Sequence, residues 1–209
     1  MHTIFWNVDT QYDFMRDDEL YHGLLYIPGA QGIESNLDRL TKLAAQRGII
    51  VVNTADWHDE QSAEISATPD FKTTFPRHCM IGTPGAAYVP ATAPARPYII
   101  DWRDEHIDPA QVLRHRNIVL YKDAFDIFAG SRHADPALQL LDPQRVIVYG
   151  VATNVCVDRA VHGLRDRGKE VSVVQDAIKE LPGTLEQTLA SWSARSVHLI
   201  RTDEVAGYL

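Results

Sequence analysis

Short runs of β-branched and aromatic residues recur along the chain with amphipathic stretches between them, and this alternation restricts the fold more than any other feature. Strands interleaved with helices specify an α/β fold whose sheet is mainly parallel. IFWNV (4–8) is the first strand-like run. IIVVNT (49–54), IVLYK (118–122), RVIVYG (145–150), EVSVV (170–174) and SVHLI (196–200) follow. Residues 35–47 place Leu37, Leu40, Leu43 and Ala44 at helical spacing, with Gly48 as the stop signal. Further helices are expected at 134–141, 154–167 and 184–194. The rhythm breaks over 56–97, a proline-rich, irregular stretch. Long insertions of this kind in compact domains usually carry ligand groups. A chain of 209 residues with 45% hydrophobic content builds one good core, so residues 1–209 are expected to form a single domain.

Charge narrows the partners. Twenty basic against 28 acidic residues leave a net charge of -8, and no Lys/Arg-rich run offsets it locally. That balance argues against nucleic acid and against an anionic membrane surface. The N-terminal MHTIFWNVDTQYDF has no basic segment followed by a long apolar one, and no later window is apolar enough to span a bilayer. A cytoplasmic location is therefore expected. Two cysteines, Cys79 and Cys156, in such a chain point to chemistry, metal or burial rather than a disulfide framework.

In open parallel sheets, ligands bind beyond the carboxyl ends of the strands. Asp9 follows the first run, Asp56 and His58 the second, Lys122 closes IVLYK, and Cys156 follows RVIVYG. Each alone fits a plain role: a helix cap, a surface strand end, a small buried side chain. Together at neighbouring strand ends they suggest one crevice. A thiol at a helix start, near an ammonium, is expected to have a lowered pKa, and an aspartate can take its proton and return it to a leaving amine. A second cluster is DWH (56–58) with FPRHC (75–79). In extended backbone Asp56 and His58 project to one side, and His78 can return to them from the insertion. One carboxylate and two imidazoles suit zinc, iron or manganese, with Glu64 as a possible fourth ligand. Most isolated histidines are not ligands, so spacing alone leaves the metal open. Phe14, Trp57 and Phe75 are candidate walls for a flat substrate, although aromatics near a site are as often simple packing.

VDTQYDF (8–14), DWH, FPRHCMIGTPGA (75–86), the strand-ending Lys122, GVATNVCV (150–157) and VVQDAI (173–178) together resemble the isochorismatase-like cysteine hydrolases, the nicotinamidase-like branch above all. The resemblance implies a three-layer α/β/α fold with a mainly parallel, six-stranded sheet. It implies a catalytic Asp9, Lys122 and Cys156, and a divalent ion, zinc before iron or manganese, on Asp56, His58 and His78. It also implies a cis peptide at Val151–Ala152, aiming the Ala152 and Cys156 N–H groups at one point as an oxyanion hole. The activity implied is hydrolysis of a small amide, nicotinamide to nicotinate and ammonia, by a homo-oligomer. Another amide or a ureido compound is the alternative substrate, and a catalytically silent interaction module is a third reading. Two stretches depart from the nicotinamidase pattern. Asn154 and Val155 stand where an acidic residue and then an aromatic or histidine are usual, and YKDAFDIFAGS (121–131) is closer to the wider amidohydrolases.

Overall fold

The computed structural model describes residues 2–209. Seven strands form one sheet: β1 (Thr3–Val8), β2 (Val51–Asp56), β3 (Tyr98–Ile100), β4 (Asn117–Lys122), β5 (Arg145–Val151), β6 (Glu170–Lys179) and β7 (His198–Ile200). Their order is β3-β4-β2-β1-β5-β6-β7, and every pairing is parallel. The strand missing from the sequence reading is β3. Its three residues directly follow Pro97, too short a run to show a period, and it lies at the sheet edge where proline is tolerated.

Parallel strands must be joined by crossovers, and these cover both faces of the sheet. The α-helices are α1 (Tyr12–Met15), α2 (Glu34–Arg47), α3 (Pro109–Arg114), α4 (Ile127–Gly130), α5 (Ala134–Leu141), α6 (Asp158–Asp166) and α7 (Leu185–Ala194). Gly48 ends α2 in the left-handed region at φ 64°, donating its N–H to Ala44, as the sequence predicts. Period-two alternation divides the core in two. Ile4, Trp6, Val146 and Val148 face α5, α6 and Trp192 of α7. Phe5, Ile147 and Tyr149 face Leu37, Leu40 and Ala44 of α2 on the other side. All six residues of β2 are buried, as expected for a strand covered on both faces. Among the described residues no helix is long and apolar enough to cross a membrane.

The chain winds from β1 to β2 in one direction and later returns to place β5 on the other side of β1. Strand order therefore reverses around β1, and the ends of β1, β2, β4 and β5 frame a crevice at that switch point. Where the sequence predicts a helix from 154, residues Thr153–Val157 form a wider π-type turn before α6 begins at Asp158. The bond from Val157 N–H to the Ala152 carbonyl, at 3.1 Å, shows this widening, which recurs at functional sites.

Gly150 leads into that turn at φ 121°, and a β-carbon on it would lie 2.1 Å from the Val8 carbonyl oxygen. Only glycine lets β5 approach β1 there. Gly150→Ala is expected to lower unfolding free energy by about 3 kcal/mol, measured by urea denaturation, as backbone strain and overpacking act together.

Candidate active site and metal centre

Asp9, the first residue beyond β1, has φ 48°, a left-handed conformation that aspartate tolerates better than most residues. Its backbone N–H donates to Thr54 O at 3.2 Å, and one carboxylate oxygen accepts from Thr54 Oγ1 at 2.6 Å. The other lies 3.0 Å from Lys122 Nζ. Lys122, fully buried at the end of β4, also donates to Asp56 Oδ1 through a close contact. Cys156 Sγ completes the group, with its sulfur and one oxygen each of Asp9 and Asp56 within 4.8 Å of one another. Gln11 braces the cluster from behind. Its amide exchanges two 2.8 Å hydrogen bonds with the Asp56 backbone and also donates to Ala86 O.

Burial opposes the Lys122 charge, but Asp56 and Asp9 outweigh it and hold the ammonium pKa well above the ordinary lysine value. Burial works against Asp56 as well, yet Lys122 keeps its carboxyl well below the usual range. Cys156 behaves differently from the sequence expectation. Burial pushes its thiol well above the ordinary cysteine range, and Lys122 only partly offsets this because Asp9 and Asp56 add to the rise. Burial also raises Asp9 against the pull of Lys122. Burial and the two carboxylates thus favour the thiol form of Cys156 over the thiolate, opposite to the direction expected from a helix start beside an ammonium.

Asp56 turns its second oxygen the other way. Oδ2 lies 3.5 Å from His78 Nε2 and 3.8 Å from His58 Nε2, and Glu64 Oε2 stands 3.9 Å from His58 Nε2. Each imidazole is oriented through its other nitrogen. His58 Nδ1 is 3.0 Å from Asp123 Oδ1, which also accepts from Ser62 Oγ, and His78 Nδ1 is 2.7 Å from Pro76 O. Both Nε2 atoms are thereby free to act as electron-pair donors. His58 Nε2 and Glu64 Oε2 are buried without a hydrogen-bond partner. Unsatisfied buried donors of this kind, converging with Asp56 and His78, fit a divalent cation. Asp56, His58 and His78 offer ligand atoms that all lie within 4.8 Å of one another.

A pocket opens over Cys156 and Asp56. Phe14, Phe75 and Phe125 supply aromatic surface, and Leu25, Ile27, Val155 and Leu181 aliphatic surface. The ring centroids of Phe14 and Phe75 lie 5.4 and 6.1 Å from that of His78. Among the described residues, no lysine or arginine lines this pocket. Trp57 stands elsewhere. Its ring stacks on Tyr121 at 4.2 Å and 10°, and its carbonyl accepts from Trp102, so it forms no part of the pocket wall. Asp56 and Trp57 occupy consecutive positions of an extended segment, and their side chains therefore take opposite sides.

Asp9, Lys122, Cys156, Asp56, His58, His78, Glu64, Phe14, Phe75 and Ala152 all gather at this one place. Val151–Ala152 is cis. Sequence reasoning missed Thr54, Asp123, Phe125 and the wall residues Leu25, Ile27, Val155 and Leu181. Asp123 and Phe125 lie one and three residues beyond Lys122, a proximity that was available as a signal. Val155 sits beside Cys156 in GVATNVCV and Thr54 near the end of β2, whereas Leu25, Ile27 and Leu181 carry no signal, because isolated apolar residues in loops look alike until folded.

A seven-stranded parallel sheet covered on both faces, with acid, lysine and thiol joined at its strand ends, defines the three-layer α/β hydrolase class. Residues 3–204 match the Isochorismatase domain, and the chain belongs to the isochorismatase family of hydrolases. It is 27% identical over 177 residues to a nicotinamidase/pyrazinamidase of Mycobacterium tuberculosis, covering 81% of this chain and 82% of that one. The fold superposes on the pyrazinamidase of Pyrococcus horikoshii in complex with zinc at a TM-score of 0.73 and 24% identity, covering 96% and 99% of the two chains. It superposes on N-carbamoylsarcosine amidase from Thermoplasma acidophilum at a TM-score of 0.73 and 20% identity, over 98% of each chain.

Asp123 touches no substrate surface but fixes the ring orientation of His58. Asp123→Ala is expected to weaken divalent-metal affinity about 10- to 100-fold, as loss of such an orienting carboxylate does. Titration of the chelator-stripped protein with zinc, followed calorimetrically, measures this without reference to any activity.

Proposed function

We propose that the protein is a cysteine-dependent amidohydrolase acting on a small primary carboxamide, with nicotinamide as the first substrate. The observation that carries this reading is the buried Asp9–Lys122–Cys156 cluster opening directly into an aromatic pocket. Asp9 accepts the Cys156 proton as sulfur attacks the carbonyl carbon. The oxyanion forms against the N–H groups of Ala152 and Cys156, each such donor contributing about 3 kcal/mol in comparable sites. Asp9 then returns the proton to nitrogen, ammonia leaves, and a thioester remains on Cys156. Asp9 takes a proton from water, hydroxide adds to the thioester, and the acid departs as the thiol re-forms. Lys122 supports this cycle by stabilising negative charge on Asp9 or sulfur while its own charge is fixed by Asp56.

A divalent ion, zinc first and iron or manganese after it, would be held by Asp56, His58 and His78 with Glu64 beside them, supplying a Lewis-acid position for a ring nitrogen. Phe14, Phe75 and Phe125 suit the flat face of an aromatic ring. Another small amide, or a ureido or carbamoyl compound, remains the second reading, supported by the likeness to an N-carbamoylsarcosine amidase and by the departure at Asn154 and Val155. We further propose a homo-oligomer, on the resemblance of the motifs to the isochorismatase-like hydrolases.

An ammonia-release screen over nicotinamide, pyrazinamide, benzamide and ureido compounds tests the reading. Turnover of nicotinamide or pyrazinamide is expected, and its absence alongside turnover of a ureido compound would transfer the assignment to the second reading. Cys156→Ala is expected to lose at least about 10³-fold in kcat/KM. Its thermal midpoint should stay close to wild type, since the change removes one sulfur at the edge of an existing pocket. Ammonia release by that variant at the wild-type rate would disprove the thioester route.

A further inference from the structure

Asn154 lies in the π-type turn two residues before Cys156, and its carboxamide reaches across to the segment between β6 and α7. Nδ2 donates to Leu181 O at 3.0 Å and to Thr184 Oγ1 at 3.1 Å, while Oδ1 accepts from Leu181 N–H at 3.0 Å. Among the described residues, Asn154 is the only hydrogen-bond partner of the Leu181 backbone. Leu181 is followed by Pro182 and Gly183, which lacks a proton on nitrogen and lacks a side chain respectively, so the segment has little of its own to hold it. Yet the Leu181 side chain forms one wall of the pocket, next to Val155 and Cys156.

We propose that Asn154 is a positioning residue that pins Leu181 as the size-limiting wall of the substrate pocket. The chemistry requires an amide. Only a side chain with both a donor and an acceptor can pair with the N–H and the C=O of one residue at once. A carboxylate of the same shape would keep the bond from Leu181 N–H but oppose the Leu181 carbonyl. The turn that carries the nucleophile is thereby joined to the wall that limits what reaches it, so the distance from sulfur to wall is set by one side chain. In its kinetic consequence this assignment rests on the amide-hydrolase reading, whereas its geometric consequence does not.

The test compares the full-length wild type with Asn154→Ala, Asn154→Asp, Leu181→Ala and the Asn154→Ala/Leu181→Ala double variant. Alkylation of Cys156 by iodoacetamide and by the bulkier iodoacetanilide is followed by mass spectrometry at that cysteine. The ratio of the large-reagent rate to the small-reagent rate reports wall position, and any change in thiol ionisation cancels in it. Releasing the clamp is expected to raise this ratio about threefold to tenfold in both Asn154 variants, in line with the loss of one or two neutral hydrogen bonds. Leu181→Ala should raise it as well, and the double variant should go no further than Leu181→Ala, because no wall is left to displace. An unchanged ratio in the Asn154 variants, or multiplicative effects in the double variant, would overturn the proposal. Should Asn154→Ala fail to fold, the near-isosteric Asn154→Asp decides. With nicotinamide, the Asn154 variants should raise KM while leaving kcat within about twofold, since the reacting groups are untouched. A fall in kcat at constant KM would count against a positioning role. If the wild type releases ammonia from no amide, the hydrolase reading fails while the alkylation ratio still judges the clamp.

Discussion

The site depends on one buried ammonium. Lys122 is fully enclosed, and an isolated charge there would be costly to desolvate. Asp9 and Asp56 together make it tolerable, and in return the lysine keeps Asp56 ionised against its own burial. Three strands are held in register at their carboxyl ends by this exchange, since Asp9 follows β1, Asp56 closes β2 and Lys122 closes β4. Removing any partner leaves an uncompensated charge in the interior, so the arrangement stands or falls as a unit.

The same contact divides labour between the two sides of Asp56. One oxygen is committed to the lysine and the other faces the imidazoles of His58 and His78. The thiol cluster and the candidate metal-binding group therefore share a carboxylate, and neither can shift without the other. The insertion that brings His78 is itself anchored. Asp13, buried in α1, accepts from Cys79 N–H at 2.6 Å through one oxygen and from Tyr21 OH at 2.6 Å and Leu24 N–H at 3.1 Å through the other. A single side chain thus ties the loop carrying His78 to the segment that supplies Leu25 and Ile27 to the pocket. Gly85 lies against this carboxylate so closely that a β-carbon there would fall 2.1 Å from Asp13 Oδ2.

Much of the architecture was legible in the chain. The strands other than β3 and the helices at 35–47, 134–141 and 184–194 lie where the sequence pattern places them, because their apolar residues repeat at the spacing of their own backbone. The edge strand β3 escaped because three residues after a proline carry no period. The helix expected from 154 starts with a π-type turn instead, since a one-residue widening leaves no trace in the composition of TNVCV. Trp57 was read as a substrate wall from its neighbours in sequence, but adjacency in an extended segment sends side chains to opposite sides, and it stacks on Tyr121.

The sequence by itself determined the fold class, the family and which acid, lysine and thiol would meet, because alternation of strand and helix imposes a parallel sheet and that sheet delivers its strand ends to one crevice. It also carried the identities of Asp56, His58 and His78. Only the tertiary structure decided the surroundings of Cys156, where burial pushes the thiol pKa up, Lys122 pulls it down and two carboxylates brought from other strands add to the rise. It alone decided the pocket wall, since Leu25, Ile27, Phe125, Val155 and Leu181 come from four separate segments. Such contacts depend on distances between residues far apart in the chain, and local pattern holds no record of those distances until the core has closed.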